Sequence, residues 1–429
     1  MSASPLRHDG FASWLRDHAT PLTGLDPEAP LDDLEPLRAA IGDARVVAIG
    51  ENAHFLQEFA LARRRLIRFL VERCGFTVLA FEYGFSEGFT LDTWVQGAGG
   101  EGDLERYAPA AVPFGMGEPL HRLRRHNTTA QRPVRFAGVD LPAAGGSLLP
   151  VLLPVADYLR EVDPALLPLI GSAIQRAERF AGESGAVAGP AWARLAEAEQ
   201  DALSAALGRL LTRFRAVEPL YVGRSDQLGY DTAVRRLEGA CTTDYTLRAM
   251  SELFAGRGLE ADPSAREIYM AGSVRWHLER TAPGGRIVLV AHNAHIQKTQ
   301  LRFGNGPTAF PMGQHLHRAL GDDYFALGLT SVGGHTAEMC LDESARFGFT
   351  VEETPLQPPE PGSVEAAFAD AGLGIALAAL GPARRPAAGV PTGPDRIRMQ
   401  STFLKTPVLD AFDGILSVPV SGVGTDLGL

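Results

Sequence analysis

The chain has 429 residues, 45% hydrophobic and 21% charged, with a mean hydropathy of −0.02 and a formal net charge of −11. This is an ordinary globular composition, long enough for a large core and an added subdomain. The acidic balance, with no Lys/Arg cluster interleaved with aromatics, argues against nucleic acid or anionic membrane as partners and leaves a small molecule as the expected one.

The first residues, Met1 to Thr20, carry Arg7, His8, Asp9, Arg16 and Asp17 without an apolar segment, which argues against a signal peptide. No stretch approaches the roughly 18 consecutive apolar residues of a membrane helix. Cys74, Cys241 and Cys340 lie far apart and show no metal spacing, so a reducing, cytoplasmic setting is expected.

In chain order, residues 1–44 read as a helical lead-in, with Phe11, Trp14 and Leu15 on one face and Pro36 near the start of a second helix. The first strand follows at about 45–49. Leu56 to Arg73 is an amphipathic helix with apolar Phe59, Leu66, Phe69 and Leu70; Arg63, Arg64, Arg65 and Arg68 read as its solvated face. A second strand covers Phe76 to Phe81 and ends in Glu82-Tyr83-Gly84. Helices at Ser86–Val95 and Glu118–Asn127 precede a third strand, Pro133 to Val139, which ends in Asp140. This β-α-β-α-β alternation predicts an α/β fold: a mostly parallel sheet with right-handed crossovers, flanked by helices.

From 148 to 282 the texture changes to long Ala/Leu/Arg/Glu stretches without strand-like runs, which predicts a helical insertion subdomain between the two parts of an α/β core, 1–147 and 283–429. The strand pattern returns at Arg286 to Ala291, followed by His292-Asn293-Ala294-His295. Another strand is expected at Tyr324 to Leu329, ending near a Gly333-Gly334-His335 turn. The last 80 or so residues, with strand candidates at Phe347–Val351 and Gly414–Val418, read as sheet edge and lid. There are no internal repeats.

Four predicted strands thus end in ionisable side chains: Glu51 and His54, Glu82, Asp140, and His292 with His295. In open α/β sheets ligands bind outside the carboxyl ends of the strands, where a histidine beside a carboxylate can act as an oriented general base. Three chemistries fit. Water could be activated by His54, with Glu51 or Glu82 fixing its tautomer and His292 assisting the oxyanion. A divalent metal could sit on His54, His292 and His295 with carboxylates, although the spacing is not a specific signature. Finally, Gly84-Phe85-Ser86-Glu87-Gly88 matches the nucleophile-elbow pattern, and Ser86, Asp140 and His292 occur in the α/β-hydrolase order. Elimination, cyclisation or transfer could use the same acid–base set.

Gly50-Glu51-x-x-His54 with Glu58-Phe59, Phe81-Glu82-x-x-Phe85-x-Glu87, Arg125-x-Asn127 and Gly138-x-Asp140 occur in order along the chain. They are followed by Arg266-Glu267-x-x-Met270-Ala271, His292-Asn293-x-His295 and Met312-Gly313-x-x-Leu316. This ordered set resembles the erythromycin esterase family. The resemblance implies an α/β domain with a helical subdomain over a deep cleft. It also implies hydrolysis of a macrolide lactone, or another ester, by water activated on His54, with Glu51, Glu82 and His292 completing the catalytic set and no cofactor. Arg266, His295, Asp140 and Glu87 become candidate substrate contacts. Phe55 and Gln57 join them, standing where the family often has Gly and Arg.

Overall fold

Strands that read as unbroken apolar runs must be covered on both faces, and the central sheet is built that way. The computed structural model describes residues 9–108, 116–302, 308–384 and 393–425; of Met1 to Thr20, residues 1–8 lie outside these. Among the described residues nine strands form one sheet. They are β1 (Thr20–Pro21), β2 (Val46–Ile49), β3 (Val78–Gly84), β4 (Arg135–Asp140), β5 (Ile287–Val290), β6 (Tyr324–Leu341), β7 (Phe349–Pro355), β8 (Ala376–Ala379) and β9 (Gly414–Ser421).

The strand order is β1-β8-β9-β6-β2-β5-β3-β4. From β9 to β4 every neighbouring pair is parallel. Strands β1 and β8 are antiparallel additions at one side, and β7 pairs antiparallel with the outer part of β6. The fold is therefore a mixed α/β architecture with a mostly parallel sheet flanked by helices.

Alternation along β2 sends Val47 and Ile49 into one core layer and Val46 and Ala48 into the other. The first layer is covered by helices that include Gln57–Cys74 and Gly117–Asn127; the second by Asp9–His18, Ala265–Glu279 and Val364–Asp370. Helices from Leu149–Val162 to Gln227–Phe254 bury a third apolar cluster of their own. Ala265–Glu279 differs from them, since its Met270, Ala271, Val274 and Leu278 belong to the sheet's core. No described helix is long and apolar enough to cross a membrane.

Several expectations change. The Gly333-Gly334-His335 turn is not a turn: β6 runs through it to Leu341. The glycines mark the point where β6 exchanges partners, pairing with β9 up to Gly334 and with β7 from His335. A β-carbon on Gly334 would lie 2.2 Å from the Ser421 carbonyl oxygen, so only glycine allows this approach. Strand β9 lies inside the sheet rather than at its edge, and β8, whose sequence Ala-Leu-Ala-Ala carries no strand signal, lies beyond it. The arginines of Gln57–Cys74 are not all solvated. Arg65 is 1% exposed and ion-paired with Asp33, and Arg63 turns into the protein.

Candidate active site

Strand β5 is laid down some 150 residues after β4, yet it inserts between β2 and β3, so the carboxyl ends of β2, β5, β3 and β4 stand side by side. Gly50 follows β2 because a β-carbon there would lie 1.9 Å from Asn293 Oδ1. The Asn293 side chain bonds both the carbonyl and the amide of Leu329, and its own N–H donates to the Glu51 carbonyl at 2.8 Å. Through side chain and backbone together, this one residue ties the ends of β2, β5 and β6. On β3 the pairing register shifts between Phe81 and Gly84, and Glu82 projects from that irregularity.

Two chains of polar contacts result. In the first, His54 Nδ1 lies 2.6 Å from Glu51 Oε1, and Arg63 Nη1 lies 2.6 Å from Glu51 Oε2. Arg63 also donates to the carbonyls of Gly50 and Ala291, bridging β2 and β5. In the second, His295 donates from Nε2 to Glu82 at 3.2 Å and from Nδ1 to Glu267 at 2.8 Å. Arg266 binds both Asp140 oxygens, through Nε at 2.9 Å and Nη2 at 2.5 Å, and reaches Glu82 at 3.1 Å. His292 links the two. Its amide donates to Glu82 Oε2 at 3.2 Å, and its ring lies 5.3 Å from that of His54.

The electrostatics separates the three histidines. Burial disfavours the His54 cation, but the Glu51 charge and hydrogen bond, with Glu82 behind, outweigh it and raise the pKa above the ordinary value. Burial likewise opposes ionisation of Glu51, which Arg63 and His54 overcome, holding its carboxyl below the usual range. Burial and the neighbouring His54 push His292 down to about 3, so its ring is neutral. Its Nδ1 accepts from the Ala294 amide, which places the ring proton on Nε2. Burial works against the His295 cation too, yet Glu267 and Glu82 raise it to about 10. With a carboxylate at each nitrogen, His295 is an imidazolium. Burial also penalises the Glu82 charge, and His295 and Arg266 outweigh that, holding Glu82 well below the usual carboxylate range.

The comparisons with known proteins agree on one family. A family model described as erythromycin esterase matches residues 71–421. Erythromycin esterase type II of Escherichia coli is 36% identical over 96% of this chain and 98% of its own length. The type I enzyme of the same organism is 32% identical over 94% and 97%. The chain belongs to the erythromycin esterase family. A solved structure of a mutant of the erythromycin esterase EreC in its open conformation superposes with a TM-score of 0.87, at 30% identity, over 96% of this chain and 99% of that one. A succinoglycan biosynthesis protein with a TM-score of 0.75 at 20% identity shares the fold. This esterase is accordingly a hydrolase of ester or lactone bonds.

The remaining candidate residues fall in different places. Phe55 is half-buried at φ +64°, a left-handed conformation that strains a residue with a β-carbon by about 1 kcal/mol or more and that glycine adopts freely. That accounts for the glycine the family often has here. Gln57 is exposed at the start of its helix and makes none of the bonds that join the cluster. Glu87 is half-buried beside Asp140: one oxygen accepts from the Ala143 amide at 2.6 Å, the other is buried without a hydrogen-bond partner, and desolvation pushes its carboxyl up to about 7. Arg266 is not an open anchor for a substrate carboxylate, because its Nε and Nη2 are committed to Asp140 and Glu82. His295, likewise read as a substrate contact, has both nitrogens on carboxylates.

Ser86 does not form an elbow nucleophile. Its hydroxyl donates to the Pro150 carbonyl at 2.6 Å and accepts from Arg236 Nε at 2.9 Å, while Asp140 serves Arg266. The elbow glycines have a packing role: a β-carbon on Gly88 would lie 2.4 Å from the Gly138 amide nitrogen. Nor do His54, His292 and His295 gather into a metal site; among the described residues no group of three or more His, Cys, Asp or Glu could hold an ion.

Sequence reasoning missed two members. Glu267 sits beside Arg266 but is absent from the candidate set. Arg63 was hidden by its neighbours, although it stands four residues after Phe59 and three before Leu66, on the helix's buried stripe. A charged residue inside an apolar stripe was the available signal.

Proposed function

We propose that the chain hydrolyses a lactone or ester of the macrolide class by direct attack of a water molecule activated by His54. The observation that carries this reading is the 2.6 Å His54–Glu51 contact at the carboxyl end of β2. Glu51 fixes the His54 tautomer, with the proton on Nδ1 in the neutral ring, and stabilises the imidazolium that forms when His54 takes the water's proton. Arg63 holds Glu51 in place. His292, neutral with its proton on Nε2, is the proposed hydrogen-bond donor to the oxyanion of the tetrahedral intermediate or to the leaving alkoxide. The chain Glu267–His295–Glu82–Arg266–Asp140 is the charged frame that fixes this geometry.

The erythromycin-cleaving names of the relatives support macrolides as the first substrates to try, with simpler lactones and esters beside them. The test is turnover of that panel by wild type and by His54→Ala, read by mass spectrometry. The reading expects a product heavier than the substrate by one water, and its loss in the variant. A product of unchanged or lower mass would replace hydrolysis by cyclisation or elimination. Equal turnover by His54→Ala would remove His54 as the base.

A further inference from the structure

Away from the strand ends, a cavity of about 460 Å³ opens between the helices Gln57–Cys74 and Gly117–Asn127. None of its lining residues belongs to the Glu51–Asp140 cluster. Arg64 and Arg68 line it from one helix, and Arg122, Arg125 and His126 from the other, against only Glu28 and Glu72. In a chain with 40 basic and 51 acidic residues, this is a local reversal of charge. The rest of the wall is mainly apolar, with Ile67, Val71, Leu79 and Leu123.

The arginines are unequally served. Arg68 has Glu72 at 3.2 Å and the carbonyls of Pro27 and Ala29, and Arg122 has Glu28. Arg64 and Arg125, by contrast, share a single oxygen of Glu118, at 3.5 and 3.6 Å, and Arg125 reaches Glu101 only at 3.3 Å. These are loose contacts in open solvent, where an ion pair holds weakly. The size falls within the range of small-molecule sites, which combine apolar walls with a few placed polar groups.

From these observations we infer that the cavity is a binding site for a free amphiphilic anion: a carboxylate, sulfate or phosphate head held by Arg64 and Arg125, with an apolar tail of several carbons on Ile67, Val71 and Leu123. The head displaces Glu118 from Arg64 and Arg125.

The test uses the full chain and three probes by calorimetric titration: n-octyl sulfate below its micelle concentration, inorganic sulfate, and the neutral n-octyl glucoside. The expected result is one octyl sulfate site, at least about ten-fold weaker binding of inorganic sulfate and of the glucoside, and an octyl sulfate affinity that falls about ten-fold or more in Arg64→Gln/Arg125→Gln. Glucoside binding as tight as octyl sulfate, or an unchanged affinity in the double variant, would overturn the inference. Should the variant fold poorly, mapping of arginine modification by phenylglyoxal on wild type decides: octyl sulfate protects Arg125 if the site is real and leaves it reactive if it is not. Co-sedimentation with phosphatidylglycerol vesicles would place the anion in a lipid surface and overturn the free-ligand assignment.

Discussion

His54 and His295 are built from the same materials and end up opposite in character. Each lies just past a parallel strand and each contacts a glutamate through Nδ1. Among the described residues His54 is ion-paired with one carboxylate, itself clamped by Arg63, and its side chain is 31% exposed, the most open of the ion-paired groups in the cluster. His295 meets two carboxylates and is 18% exposed. The Glu51 contact raises the basicity of the more open His54 ring and still lets it exchange a proton; Glu267 and Glu82 together lock the proton on His295. The proposed function gives acid–base work to the first and structural charge to the second, and that contrast can be broken at either end.

The largest effect should come from His54→Ala, with a loss of about 10³-fold in kcat/KM on a confirmed ester substrate and an unchanged unfolding midpoint. His295→Gln should do the reverse in kind. Leaving Glu82 and Glu267 without their shared cation should cost about 3 kcal/mol or more, seen in urea unfolding. The same group predicts a pH trend. Its folded pKa, about 10, lies above the ordinary 6.5, so its contribution is complete below pH 6.5 and is lost as pH rises through 10. The stability gap between wild type and His295→Gln should therefore narrow across that window, and a constant gap would mean the imidazolium is not what holds the frame. Arg63→Ala should cut kcat/KM by about 10²-fold through Glu51, with KM little changed. The smallest change belongs to Ser86→Ala, which should lose about 1 kcal/mol of stability from its bonds to Pro150 and Arg236 and keep its turnover. Loss of activity there would restore the elbow reading.

The legible part of this molecule was local. Apolar runs ending in Glu51, Glu82, Asp140 and His292 gave the parallel strands and their polar ends, because strand period and burial are written in neighbouring residues. The strand order was not legible: nothing near Ile287–Val290 says that it inserts between β2 and β3, since that is decided by pairing across more than about 200 residues. Pairing within the site was hidden for the same reason. Arg266 was visible as a cation near the site, but not that Asp140 would hold it in two-pronged contact. Strand β8 was lost because its alanines carry no propensity signal and its place follows from β9.

The central claim is that Glu51 sets the basicity of His54, and the pH dependence of kcat/KM in wild type and Glu51→Gln tests it most directly. Removing the carboxylate charge lowers the His54 pKa, so the ring stays unprotonated to lower pH. The account predicts that the acid limb of the profile moves to lower pH in the variant, with a reduced plateau. An acid limb that stays where it was would show that the group titrating there is not the His54–Glu51 pair.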